Sequence, residues 1–241
     1  MKSASDMGMN RTGAGTAPRL SKEMIDAARA GTPSSGGDGW ALASEREEYI
    51  EQGERIGSMP PPSSLKGAAT TLLKMGMGEK PNVLLDKMGE RLAFERTGSR
   101  LYEALMSKVQ ALGGGADGPT LDEINDIYND EVRHFELLRR ALEDLGADPT
   151  VQTPSADVSG VTAMGILQVL TDPRTSVAQC LHAVLVAELA DNDGWRMLID
   201  LARSLDQDDM AKQFQQALTE EERHLRQVRG WVSRQMLAEA T

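Results

Sequence analysis

Four long stretches of the chain repeat apolar residues at steps of three and four, the period of a helix with one buried face, and each stripe is broken by an acid at an inward position. The first runs Met88, Leu92, Glu95, Gly98, Tyr102, Leu105 or Met106, and Val109. The second runs Leu121, Ile124, Tyr128, Glu131, His134 or Phe135, Leu138 and Leu142. The third gives Val177, Leu181, Val184 or Leu185, Glu188, Trp195, and Leu198 or Ile199. The fourth gives Phe214, Leu218, Glu221, His224 or Leu225, Val228, and Trp231 or Val232. A carboxylate in a helix core is expensive without a partner, so four of them strongly constrain how these helices pack.

The order is Glu, Glu-x-x-His, Glu, Glu-x-x-His, with 36 residues from Glu95 to Glu131 and 33 from Glu188 to Glu221. Residues three apart share a helix face, so each Glu-x-x-His pair can converge on one ion. Antiparallel partners with these spacings bring the acids to similar depth. Four carboxylates and two neutral imidazoles suit a pair of divalent first-row ions, which neutralise the buried charge. The plainer alternative, carboxylates merely salt-bridged in a core, leaves the doubled motif and the matched spacings without a reason.

Helix boundaries frame these stripes. Lys80-Pro81 opens a helix to about Leu112, stopped by Gly113-Gly114-Gly115. Thr120 with Glu123 forms a capping box for a second helix ending near Leu145-Gly146. A connection of about 26 residues follows, with a short helix expected over 161–170. Asp172-Pro173 is expected to cap and start a third helix to about Leu205, and the run Asp206–Asp209 a fourth to about Ala240. Four long helices with one long middle crossover match a standard bundle topology.

Residues 1–64 are dense in Gly, Ser and Pro and read as a largely disordered arm or linker, with one short helical stretch at Ala41–Gly53. Residues 65–80 are expected to form a short lead-in helix, and 81–241 the metal-binding body. The net charge of −11 and the lack of a concentrated basic run argue against nucleic acid as a partner. One cysteine, Cys180, excludes a disulfide framework or an all-thiolate metal site within the chain. No apolar run reaches the length of an integral membrane span, and no secretory h-region opens the chain, so a cytoplasmic location is expected.

Several other residues have a structural and a functional reading. Tyr102, Tyr128 and Trp195 read as core, with a hydrogen-bonding place beside the acids as the alternative. Glu220 and Glu222 flank the fourth-helix motif and read as solvent-facing or supporting acids, while His182 and Cys180 read as structural or surface residues. Gly98, one turn from Glu95, either leaves room for dioxygen or substrate or permits close helix packing.

Residues 81–240 resemble the ferritin-like di-iron carboxylate superfamily, which includes rubrerythrins, bacterioferritins, manganese catalases and carboxylate-bridged monooxygenases. The likeness rests on LAFERTGSRLYEAL, NDEVRHFELL, VLVAELADNDGW and TEEERHLRQV. It implies an all-α, ferritin-like four-helix bundle with one long crossover containing a short helix, preceded by a flexible N-terminal arm. It implies two iron ions, with manganese or a mixed pair as alternatives. Glu95, Glu131, His134, Glu188, Glu221 and His224 are then the metal ligands and catalytic residues, Glu131 and Glu221 bridging, Glu95 and Glu188 terminal, and one histidine on each metal.

The activity implied is that of a di-iron oxidoreductase acting on dioxygen or peroxide, ferrous oxidation included. Hydroxylation of an organic substrate is the alternative, which expects an apolar pocket beside Gly98 or along 164–170. A non-enzymatic helical assembly is the reading from another class. No Cys-x-x-Cys pair is present, so electrons are expected from an external donor. A homo-oligomer, such as a dimer, is the expected assembly.

Overall fold

The computed structural model describes residues 17–31, 39–60 and 81–240. Its described residues hold seven helices and no strand. They fall into two units, Met1–Arg55 and Ile56–Thr241.

In the first unit, α1 (Pro18–Ala30) starts on a proline, and Arg19 pairs with Glu23 one turn on at 2.9 Å. The reading of 1–64 as a largely disordered arm expected no helix over 18–30. The local run after Pro18 is rich in helix formers, yet α1 buries no residue. The second helix, α2 (Gly39–Gln52), falls where a short helix was expected. The expected lead-in helix at 65–80 lies outside the described residues.

In the second unit, α3 (Pro81–Leu112) ends at Gly113, whose φ of +80° suits glycine. Next, α4 (Leu121–Asp144) has both bonds of the Thr120/Glu123 capping box and closes at Gly146, φ +77°. The crossover differs from expectation: α5 (Pro154–Thr171) is 18 residues long. Its start is set by Thr153, which caps Ala156 N–H, and by Pro154 at the first turn. Asp86 of α3 anchors it by accepting from both the N–H and the hydroxyl of Ser155, at 2.9 and 2.6 Å.

The third long helix, α6 (Val177–Ser204), does not start at Asp172-Pro173. Its capping box is Ser176 with Gln179. Asp172 instead ends α5, and its carboxylate accepts from the Arg174 backbone N–H and guanidinium, making a turn. Proline after an acid is as good a turn as a helix start, and the tertiary anchor of Lys108 on the Asp172 carbonyl at 2.6 Å favours the turn. The last, α7 (Asp208–Glu239), follows directly.

The core of this unit forms two apolar clusters. One joins Leu101, Leu105, Ile124, Ile127, Leu181, Val184, Val228 and Trp231. The other joins Met88, Leu92, Leu138, Leu142, Trp195, Leu198, Phe214 and Leu218. Early α3 shares a cluster with late α4, late α6 and early α7, so α3 and α7 run one way and α4 and α6 the other. The gap between the clusters falls at 95, 131–134, 188–191 and 221–224, where all four long helices carry their acids. Among the described residues, no helix is long and apolar enough to cross a membrane.

Candidate metal centre

Glu95, Glu131, His134, Glu188, Glu221 and His224 all lie in this gap, and none is more than 2% exposed. They form overlapping groups whose ligand atoms lie within 4.8 Å of one another. One group is Glu131, Glu188, Glu221 and His224; a second is Glu95, His134 and Glu221. A third adds a residue the sequence reading missed, Asp191, to Glu95, Glu131 and Glu221. Glu221 belongs to all three. Its Oε1 stands 2.6 Å from His134 Nδ1 and its Oε2 3.3 Å from His224 Nδ1, so one carboxylate spans both halves.

Both imidazoles are oriented from outside. His134 Nε2 meets Glu220 at 2.8 Å, and His224 Nε2 meets Asp130 at 2.9 Å. Each partner directly precedes the glutamate of the opposite motif, so the two motifs brace each other. Asp130 is further held by Arg133 and Arg223. These contacts leave both Nδ1 atoms facing inward, the arrangement in which a metal-binding imidazole is fixed by a carboxylate behind it. Glu220 therefore supports His134, whereas Glu222 pairs with Arg196 on the surface at 3.0 Å.

The terminal acids have unlike neighbours. Tyr102, fully buried, donates its hydroxyl to Glu188. Glu95 instead faces Arg91, whose Nε lies 3.0 Å from Glu95 Oε1 and whose Nη2 lies 2.9 Å from Asp191 Oδ1. Two glycines admit these groups. A Cβ at Gly98 would overlap the Glu131 carboxylate, and one at Gly194 would overlap the Arg91 guanidinium. The space at Gly98 is thus filled by Glu131. Trp195 packs edge-on to His134 at 5.7 Å, and Asn192 joins the Glu188 and Glu221 carbonyls at 3.0 and 3.1 Å. Tyr128 bonds Glu103 away from the cluster, His182 is exposed, and Cys180 is buried against Thr175.

Burial and mutual repulsion shape the protonation of the group. Burial, then the neighbouring carboxylates, pushes Glu131 well above the ordinary range. Burial raises Asp191 too, against the pull of Arg91. Glu188 is raised by burial and by Glu221 to about 8. Burial alone would raise Glu221, but the two histidines hold it down to about 2. Burial opposes charge on the imidazoles as well, yet carboxylates carry His134 up to about 11 and His224 to about 9.

The donor set fits metal. Glu95 Oε2, Glu131 Oε2 and Glu188 Oε2 are buried without a hydrogen bond, while Glu95 Oε1, Asp191 Oδ1 and Glu221 Oε1 are met only by ion pairs with Arg91 or His134. Such orphaned acceptors are rare in native cores and point to a cation. Asp191 and Arg91 were legible in principle: Asp191 follows Glu188 by three, and Arg91 precedes Glu95 by four, each on the same helix face.

Comparison of the chain with protein-family models, with curated proteins and with solved structures found no match. What fold and site define is a class: an all-helical protein with a buried Glu/His cluster that could bind metal.

Proposed function

We propose that this chain is a ferritin-like di-iron oxidoreductase that acts on dioxygen or peroxide, ferrous oxidation included. The observation that carries the reading is the overlap at Glu221 of the two histidine-containing ligand groups, which supports a pair of adjacent ions sharing that carboxylate. Iron fits the mixed oxygen and nitrogen donors, and manganese is the alternative. Two such ions, when bound, supply electrons to an oxygen substrate.

The chain's own residues do the rest. Glu131, Glu188, Glu221 and His224 would hold one ion, and Glu95, His134 and Glu221 would hold the other, with Glu131 and Asp191 beside Glu95. Tyr102 fixes the Glu188 rotamer through its hydroxyl. Asp130 and Glu220 hold the imidazoles by Nε2 and so keep Nδ1 directed inward. The apolar clusters on either side exclude water from the layer. The protons held on Glu188, His134 and His224 leave as cations enter.

The test is metal content per chain after anaerobic ferrous loading and removal of loosely bound ions, followed by oxygen uptake. Near two irons per chain and rapid uptake are expected, with retention largely abolished in Glu221→Gln. A wild-type protein that retains no transition metal overturns the proposal.

A further inference from the structure

We infer that the cleft between α3, α5 and α6 binds an uncharged, predominantly apolar small molecule, with Arg91 as the partition between that molecule and the acid cluster. The cleft measures about 520 Å³, within the ~300–1,000 Å³ usual for ligand sites. Val83, Phe94, Val158, Met197, Leu198 and Leu201 give it an apolar lining. Val83, Val158 and Met197 are 45%, 48% and 66% exposed, unusual for large apolar side chains gathered around one opening.

The charges of the lining are already paired. Lys87 meets Glu90 at 2.6 Å, and Asp193 meets Arg196 at 3.1 Å. Arg91 is committed to Glu95 and Asp191, with its guanidinium 4.1 Å over the Phe94 ring. A charged ligand would lose hydration with no free counter-charge to receive it, whereas an aromatic or aliphatic body would cover Phe94 and the rim. Arg91 lines the cleft and also touches two members of the cluster, so a molecule seated there is one side chain away from Glu95. The cleft lies on the 158–162 turn of the crossover helix rather than beside Gly98 or along 164–170.

A second large cleft makes the contrast. It measures about 540 Å³ and is lined by Asp126, Asp130, Arg133, Glu220, Arg223 and Arg226, charged groups that suit ions rather than apolar bodies.

The role of Arg91 as partition rests on the proposed function; the binding site does not. The probe is N-phenyl-1-naphthylamine, an uncharged aromatic amine, titrated by fluorescence into the cation-free full chain. Saturable 1:1 binding is expected, weakened about tenfold or more by Val158→Trp and by Met197→Trp, rim substitutions that fill the cleft and leave metal content unchanged. Its sulfonated analogue should bind about tenfold more weakly than the neutral probe. Probe binding that survives both tryptophan variants overturns the site. So does a change in association state in place of lost probe binding, which would make the rim a contact between copies of the chain.

In cobalt-loaded protein the neutral probe should shift the visible absorption of the metal, and this shift should vanish in Val158→Trp. A wild-type chain that binds probe with no spectral shift overturns the partition. A chain that retains no cobalt counts against the proposed function, while the cation-free titration still decides the cleft.

Discussion

The two halves of the cluster carry the same ligand types in unlike surroundings. On one side Glu188 accepts from the neutral Tyr102 hydroxyl, and His224 is backed by Asp130, which is 3% exposed and held by two arginines. On the other, Glu95 faces the cationic Arg91 and the extra acid Asp191, and His134 is backed by Glu220, whose side chain is 40% exposed. A repeated motif therefore does not make a symmetric centre. The residues of the repeat are candidate ligands, whereas the electrostatics around them come from residues that the repeat does not share. The Glu131–Glu188–Glu221–His224 position, held by buried partners, should fill first.

The largest test of this difference is in the cation-free protein. Arg91→Met leaves Glu95 and Asp191 buried without their cation and should cost about 3–5 kcal/mol of stability by denaturant unfolding. Tyr102→Phe, its counterpart, removes a single hydrogen bond to Glu188 and should cost about 1–3 kcal/mol. Equal costs would break the asymmetry.

Metal affinity sharpens it next. Asp130→Asn should weaken one of two binding steps by about 10–100-fold, the scale for an outer partner of a ligating histidine. Glu220→Gln should weaken the other step less, because water already shares that carboxylate. Titration with competing chelator separates the steps, and an equal loss in both variants would count against unequal halves.

The pH dependence of stability follows from groups in both halves. Glu188 at about 8, His134 at about 11 and His224 at about 9 all lie above their ordinary values of 4.5 and 6.5. Raised values mean that the folded cation-free state holds extra protons, a contribution present at low pH and lost as pH rises through 8 to 11. Glu221, held down to about 2, loses its contribution only in strong acid. The melting temperature of the cation-free protein should therefore fall from pH 6.5 to 9.5, by about 5 °C or more. Over the same range metal affinity should rise, since binding releases those protons. A flat profile would show that the cluster does not store them.

The smallest change concerns Gly98. Gly98→Ala places a methyl group against the Glu131 carboxylate while Glu95 keeps its pairing with Arg91. It should weaken metal binding about tenfold, read by chelator competition. Unchanged metal binding would return Gly98 to a packing role.

Much of the fold was legible because its signals are local. Pro81, the Gly113 stop, and the Thr120–Glu123 box act within a few residues of themselves, and the structure places those boundaries accordingly. Asp172-Pro173 misled because a turn and a helix start share a local pattern, and the bond from Lys108, 64 residues away, favours the turn. The full length of α5 was missed for a related reason. Its Ser, Gly, Thr and Val content is weak as a helix signal, and the anchor that holds it is Asp86 on another helix.

The site divides in the same way. Periodicity alone placed Glu95, Glu131, His134, Glu188, Glu221 and His224 on inward faces, because a helix repeats every 3.6 residues whatever packs against it. Which carboxylate meets which histidine depends on how four helices cross. So do the bracing of His224 by Asp130, the reach of Arg91 across Gly194 to Asp191, and the filling of the space at Gly98. These are contacts between residues tens of positions apart, and burial makes each one matter. The helical period is enough to place acids and imidazoles in one shared interior; which of them become neighbours depends on how the helices pack, because removal from water gives direct contact its electrostatic strength.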